Sequence, residues 1–221
     1  MSTADIPPTA PAPYLRRFSA TERVAHWLLA LTFASMLGSG VLMGGIGPLR
    51  HRAMLIGHVG SAVVLVCGLA AMTAGRRQRR QLAVTAAELG HLTPGDLRWL
   101  HAVPTRLLSG RRLPPAGRFN AGQKLNSRIL AGLLLALYLT GLGELGRHVG
   151  ALEAIRPLGT LHGAGAAAIG AVVAGHIYLA TLNPSTRHSL RGMTLGSVRR
   201  EWALEHHADW VVAVERSADD E

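Results

Sequence analysis

Residues 160–182 read TLHGAGAAAIGAVVAGHIYLATL, a run without a single Asp, Glu, Lys or Arg but with two histidines, His162 and His176. About 20 apolar residues in a helix cross the roughly 30 Å of hydrocarbon in a bilayer, so the run reads as a transmembrane helix. It is rich in glycine and alanine, which let membrane helices approach closely and leave room beside a helix for a flat ligand. Fourteen residues separate the two histidines. At about 1.5 Å of rise and 3.6 residues per turn they stand roughly 21 Å apart on nearly the same face. Both rings are expected to point into one bundle interior, near opposite faces of the membrane.

Three further apolar runs lie upstream, at about 24–45, 54–74 and 128–146, the third carrying Glu144 near one end. With 48% hydrophobic and only 16% charged residues in 221, the chain reads as all-α: an integral membrane four-helix bundle with peripheral amphipathic helices. The expected division is a polar N-terminal segment (1–22), a membrane domain (23–183) and a tail (184–221). The proline-rich start, MSTADIPPTAPAPYLRRFSATER, lacks the charged-then-apolar order of a cleaved signal peptide, so the first apolar run is expected to be retained. The single cysteine, Cys67, lies in an apolar run and gives no disulfide framework, zinc spacing or C-x-x-C-H.

The net charge of +10 is carried by arginines and Lys124, and its placement sets the topology. Nineteen basic residues fall at the N-terminus, in or beside the connection 75–127 and in the tail, against four (Arg50, Arg52, Arg147, Arg156) on the other side. Basic residues near span ends stay in the cytoplasm, so both termini and the long connection are expected there, in a multi-pass protein of a prokaryotic plasma (inner) membrane. The charge is explained by topology, with some contact to anionic membrane lipid, and needs no nucleic acid partner. Within the connection, TPGDLRWLHAVPTRLLSG (93–110) has Thr as N-cap, Pro at the first helical position and a terminal Gly, an interfacial helix by pattern. TLGSVRREWALEHHADW (194–210) is expected to form another amphipathic helix.

Ionisable residues inside spans are costly and point to function. Four histidines qualify: His26, His58, His162 and His176. Matched by depth they pair as His26 with His176 near the cytoplasm and His58 with His162 near the outside. Two neutral imidazoles fill both axial positions of a haem iron, which favours electron transfer over oxygen binding. Gly57, Gly60, Gly163, Gly165 and Gly175 beside these histidines would admit a macrocycle. A single membrane histidine often only hydrogen-bonds a neighbouring helix, but four at matched depths argue for two non-covalent b-type haems. Asn120, Gly122 and Gln123 before the third span offer donors to a quinone carbonyl, or equally a helix N-cap, and Lys124 is placed to snorkel. Glu205, His206 and His207 read as a solvated helix face, with a proton relay as the alternative.

The segments RFSATERVAHW (17–27), GDLRWL (95–100), GRFNAGQKLN (117–126), LHGAGAA (161–167), HIYLATLNP (176–184) and EWALEHH (201–207) together resemble the cytochrome b, or gamma, subunit of membrane-bound formate dehydrogenases, within the prokaryotic di-haem b-type cytochromes. The resemblance implies His26, His58, His162 and His176 as haem ligands, and a quinone pocket at Asn120, Gly122 and Gln123 bordered by His176. It also implies partners: an iron–sulfur subunit and a molybdenum-type catalytic subunit. The chain itself carries no molybdenum domain or iron–sulfur cysteine array, so substrate dehydrogenation would belong to a partner. The expected function is electron relay between that dehydrogenase and quinone as acceptor. The alternatives are a stand-alone haem-binding membrane protein and a proton-coupled transporter using the histidines.

Overall fold

The computed structural model describes residues 13–43, 48–150 and 157–219. Strand β1 (Tyr14–Arg16) leads into helix α1 (Ala20–Met43), and α2 (Pro48–Ala74), α3 (Arg76–Gly90), α4 (Pro94–Ser109), α5 (Ala121–His148) and α6 (Leu158–Ile177) follow. The chain then makes a π turn (Tyr178–Leu182), a 3-10 turn (Arg187–Ser189), α7 (Leu190–Leu195), β2 (Ser197–Arg199), α8 (Arg200–His206) and α9 (Ala208–Asp219). Four helices are long and apolar enough to cross a membrane: α1, α2, α5, and α6 with its π turn. The fold is an all-α membrane helical bundle, and its mostly exposed apolar side chains, such as Leu31, Val63 and Leu139, suit a hydrocarbon surround.

The spans form two hairpins. In the first, Leu28 of α1 sits over Gly68 of α2, where a Cβ would lie 2.6 Å from its Cδ2. In the second, Leu158 of α6 covers Gly143 of α5 at the same 2.6 Å. A missing side chain thus closes each hairpin, as small residues do between membrane helices. Ser35 and Ser61 share a hydrogen bond of 2.8 Å across the first hairpin, and Tyr138 Oη of α5 donates to the Ala62 carbonyl of α2 at 2.8 Å, joining the two.

Helix limits differ from the expectations in instructive ways. The third span starts at Ala121, not near 128, because Asn120 and Gln123 close a capping box: Asn120 Oδ1 accepts from the Gln123 amide at 2.9 Å and Gln123 Oε1 from the Asn120 amide at 3.0 Å. The connection holds two helices rather than one. The expected helix is α4, with Thr93 as N-cap and Gly110 at φ +68 as left-handed C-cap; α3 is additional. The single amphipathic helix expected over 194–210 is instead β2, α8 and the start of α9. The end of the expected first span, 44–45, and Arg156 lie outside the described residues.

At one end of the bundle the segments flanking the membrane domain form a common cap. Strand β1 pairs antiparallel with β2, Leu15 opposite Val198, and Leu15, Val198, Ala203, Trp210 and Val211 pack into a small core. The backbone amides of Arg17 and Phe18 both donate to the Gly196 carbonyl, at 2.8 and 3.1 Å. Gly196 must be glycine. Its φ is +86, and a Cβ there would stand 2.9 Å from the Phe18 carbonyl oxygen.

Candidate functional site

Each histidine pair is made by α6 and one helix of the first hairpin. His26, in the second turn of α1, faces His176 at the end of α6 with ring centroids 6.2 Å apart; His58 of α2 faces His162 of α6 at 6.1 Å. The first pair lies toward the cap and the second toward the opposite end. Metal–imidazole bonds of about 2 Å and a ring radius of about 1.1 Å put the centroids of two imidazoles trans on one metal about 6 Å apart. Both pairs stand at about that separation. Among the described residues no group of three or more His, Cys, Asp and Glu is placed to hold a metal ion. A Cβ built at Gly57, Gly60, Gly163 or Gly175 meets nothing within 4 Å, leaving open space beside the histidines. Gly165 does not share in this, because a Cβ there would lie 3.2 Å from Leu137 Cδ2; it is a helix-packing residue.

The cap-side pair is positioned by the residues around it. Ser19 and Glu22 cap α1 reciprocally: the Ser19 amide donates to Glu22 Oε2 at 2.7 Å, and the Glu22 amide to Ser19 Oγ at 3.3 Å. Glu22 also accepts from Thr85 Oγ1 of α3 at 2.6 Å and pairs with Arg118. On the other side of the helix Arg23 donates to the Thr194 carbonyl at 3.2 Å and Trp27 Nε1 to the Met193 carbonyl at 3.0 Å. The segment Glu22–Arg23–Val24–Ala25–His26–Trp27 therefore fixes His26 through the residues around it, tying α1 to the connection and to α7.

Asn120, Gly122 and Gln123 lie at the cap-side start of α5. The side-chain oxygens of Asn120 and Gln123 are taken by the capping box, while no partner is found among the described residues for either carboxamide –NH2. A Cβ at Gly122 would be 3.3 Å from Trp99 Cη2, so glycine lets that ring lie against α5. Lys124 does not snorkel. It is paired with Asp96 at 2.7 Å, with both side chains largely buried; this pair and the Thr93 hydrogen bonds hold the Asp96 carboxyl below its ordinary range despite its partial burial.

Sequence reading missed the electrostatics of the cap. Arg17 is 3% exposed; it donates from Nη2 to the Arg118 carbonyl at 2.7 Å and toward Gln123 Oε1 at 3.4 Å, and stacks 5.6 Å from the Trp202 ring. Burial first, then Arg118, push its pKa down to about 9. His207, expected on a solvated face, is 1% exposed, and its Nδ1–H donates to the Gly117 carbonyl at 2.8 Å. Burial and then Arg17 push it down to about 3, so it is neutral at physiological pH. Glu205 does remain solvated, at 70% side-chain exposure.

Two hydroxyls were missed as well. Ser39 of α1 lies 3.1 Å from His58 Nδ1, which is also 2.9 Å from the Met36 carbonyl; Thr140 of α5 lies 3.0 Å from His162 Nδ1. The available signal was a hydroxyl residue followed by glycine, Ser39–Gly40 and Thr140–Gly141, once in each hairpin.

Known proteins give the arrangement a context. The cytochrome b556(Fdn) subunits of the nitrate-inducible formate dehydrogenases of Escherichia coli K12, E. coli O157:H7 and Shigella flexneri are each 25% identical over 127 residues, 55% of this chain. The chain spans 57% of the length of these relatives. The family described as prokaryotic cytochrome b561 matches residues 17–196, a stretch holding all four spans and all four paired histidines. The chain belongs to that family, and is a membrane cytochrome b that binds b-type haem and serves electron transfer.

Proposed function

We propose that the chain is the membrane subunit of a dehydrogenase complex and carries electrons between that partner and the quinone pool through two b-type haems. One would be held by His58 and His162 at the outer end and one by His26 and His176 at the cytoplasmic end. The supporting observation is the presence of two imidazole pairs at 6.2 and 6.1 Å on one helix-spanning scaffold. When bound, a haem with both axial positions filled supplies reversible one-electron transfer without an open iron site. The protein's part is to hold each imidazole pair at bonding separation and to keep water out of the bundle.

The cap end is taken as cytoplasmic, because it carries most of the arginines outside the spans. A quinone seated beside the start of α5 would find the Asn120 and Gln123 –NH2 groups as donors to its carbonyl, with Gly122 holding the Trp99 ring against the helix and His176 bordering the site. Protons for the quinone would come from the cytoplasmic side while electrons arrive from outside, separating charge. By resemblance to the formate dehydrogenase subunits, the partners are an iron–sulfur subunit docked at the outer helix ends and a molybdenum-type catalytic subunit that holds the substrate site.

The test is pyridine-haemochrome quantitation with reduced-minus-oxidised spectra of purified protein. Two b haems per chain are expected, falling to one in His58→Ala and to one in His176→Ala, the latter with quinone reactivity lost. Retention of two haems in His176→Ala would overturn the pairing.

A further inference from the structure

We infer that Ser39 and Thr140 are positioning residues that would give a haem held by the outer imidazole pair a lower reduction potential than one held by the inner pair, so that electrons entering at the outer end would run downhill toward the cap. The inference rests on the two-haem reading above.

The hydrogen bonds decide the tautomer. Ser39 Oγ donates to the Ser35 carbonyl at 2.7 Å, and Thr140 Oγ1 donates to the Ala136 carbonyl at 2.8 Å. With its one hydrogen spent on its own helix, each hydroxyl faces its histidine as an acceptor. The Met36 carbonyl, 2.9 Å from His58 Nδ1, accepts only. Nδ1 of both His58 and His162 therefore carries the proton, and Nε2 keeps its lone pair.

The device is built twice, on unlike sequences. In each hairpin the first helix supplies a hydroxyl and then a glycine, and the second supplies the histidine. A Cβ at Gly40 would lie 3.6 Å from His58 Cε1, and one at Gly141 only 3.2 Å from His162 Cε1. Gly141 lets its ring come close enough for the hydroxyl to reach Nδ1, whereas at Gly40 a Cβ would make only ordinary van der Waals contact. The inner pair has nothing equivalent: among the described residues no hydrogen bond reaches a ring nitrogen of His26 or His176, whereas both outer rings are held.

A carbonyl or hydroxyl accepting from the remote N–H raises the basicity of an imidazole ligand and fixes its orientation. A more basic ligand stabilises the more highly charged, oxidised metal, so the reduction equilibrium at the outer end is shifted toward oxidation. The inner pair lacks this donation and is left at the higher potential.

Redox titration of the haem-loaded protein, followed at the reduced α-band, tests this. Thr140→Val keeps the shape and removes the acceptor; it is expected to raise the outer midpoint by about a tenfold change in equilibrium constant, which is 59 mV for one electron. Thr140→Ser restores the acceptor and should titrate as wild type. Ser39→Ala should shift the same way by less, since the Met36 carbonyl still holds His58. Unmoved potentials in Thr140→Val and Ser39→Ala, with both haems retained, would overturn the inference and leave the two-haem reading standing. An equal shift in Thr140→Ser would also overturn it. Wild-type protein without two haems would overturn the two-haem reading itself and this inference with it.

Discussion

Acidification should open the cap through His207. The side chain is 1% exposed and its pKa is pushed down to about 3 by burial and by Arg17, whereas in an opened cap it would titrate near 6.5. Because the depressed value belongs to the closed state, the stabilisation is complete above pH 6.5 and is lost as the pH falls from 6.5 toward 3. The loss is about 2 kcal/mol at pH 5 and on the order of 5 kcal/mol below pH 3. Arg17 remains a cation throughout, and His188, also depressed by burial, contributes with the same sign but less, being mostly solvated. The Asp96 and Glu215 carboxyls are held below their ordinary range and stay ionised between pH 7 and 5. The assay is hydrogen exchange at the Val211 amide, which donates to the His207 carbonyl at 3.2 Å. Its protection, normalised for intrinsic exchange, should fall about thirtyfold from pH 7 to pH 5. In His207→Gln, whose carboxamide can still donate to the Gly117 carbonyl but does not titrate, most of that fall should vanish. A flat wild-type profile, or an undiminished fall in His207→Gln, would refute the reasoning.

Arg118→Ala removes the partner of the largely buried Glu22 and a 3.1 Å hydrogen bond to the Arg17 carbonyl; a cost of about 3 kcal/mol should speed exchange of the Phe18 amide about a hundredfold, while Glu88→Ala, removing the 41%-exposed partner, should change it little. Gly196→Ala forces a positive φ and a Cβ 2.9 Å from the Phe18 carbonyl oxygen, so β1–β2 pairing should be lost with a drop in Tm measured in detergent. Gly141→Ala places a Cβ 3.2 Å from His162 Cε1 and should perturb the low-temperature haem spectrum, whereas Gly40→Ala, at 3.6 Å from His58 Cε1, should be accommodated.

The four spans were legible because twenty apolar residues have few other uses, and the histidine partners because depth along a straight helix follows from residue count. Helix α4 was legible from Thr93, Pro94 and Gly110, which carry its caps. Helix α3 was not. It opens on Arg76 and Arg77 behind Gly75, with no side-chain cap and no acidic residue in its first turn, local features that argue against a helix start. Its hold comes from elsewhere, through Thr85 on Glu22. The strands YLR and SVR are three residues each, too short to show a period of two. His207 was misjudged because a continuous helix puts it on the polar face, while the chain breaks there at φ −146, ψ 46 and turns the ring inward. Ser39 and Thr140 passed unnoticed since hydroxyls in spans commonly bond their own preceding turn, which these also do.

The pairing of Tyr14 with Arg199 has a consequence for biogenesis. At about 5–20 residues per second, a ribosome finishes the second strand roughly ten to forty seconds after the first, with both hairpins synthesised in between. Until then the amides of Arg17 and Phe18 have no Gly196 carbonyl to bond, and the first two turns of α1 lack their anchors at Met193 and Thr194. The cap is thus a late closure, completed only after the last span has been made, and a nascent chain stalled before α7 would present Arg16 and Arg17 unshielded to the insertion machinery.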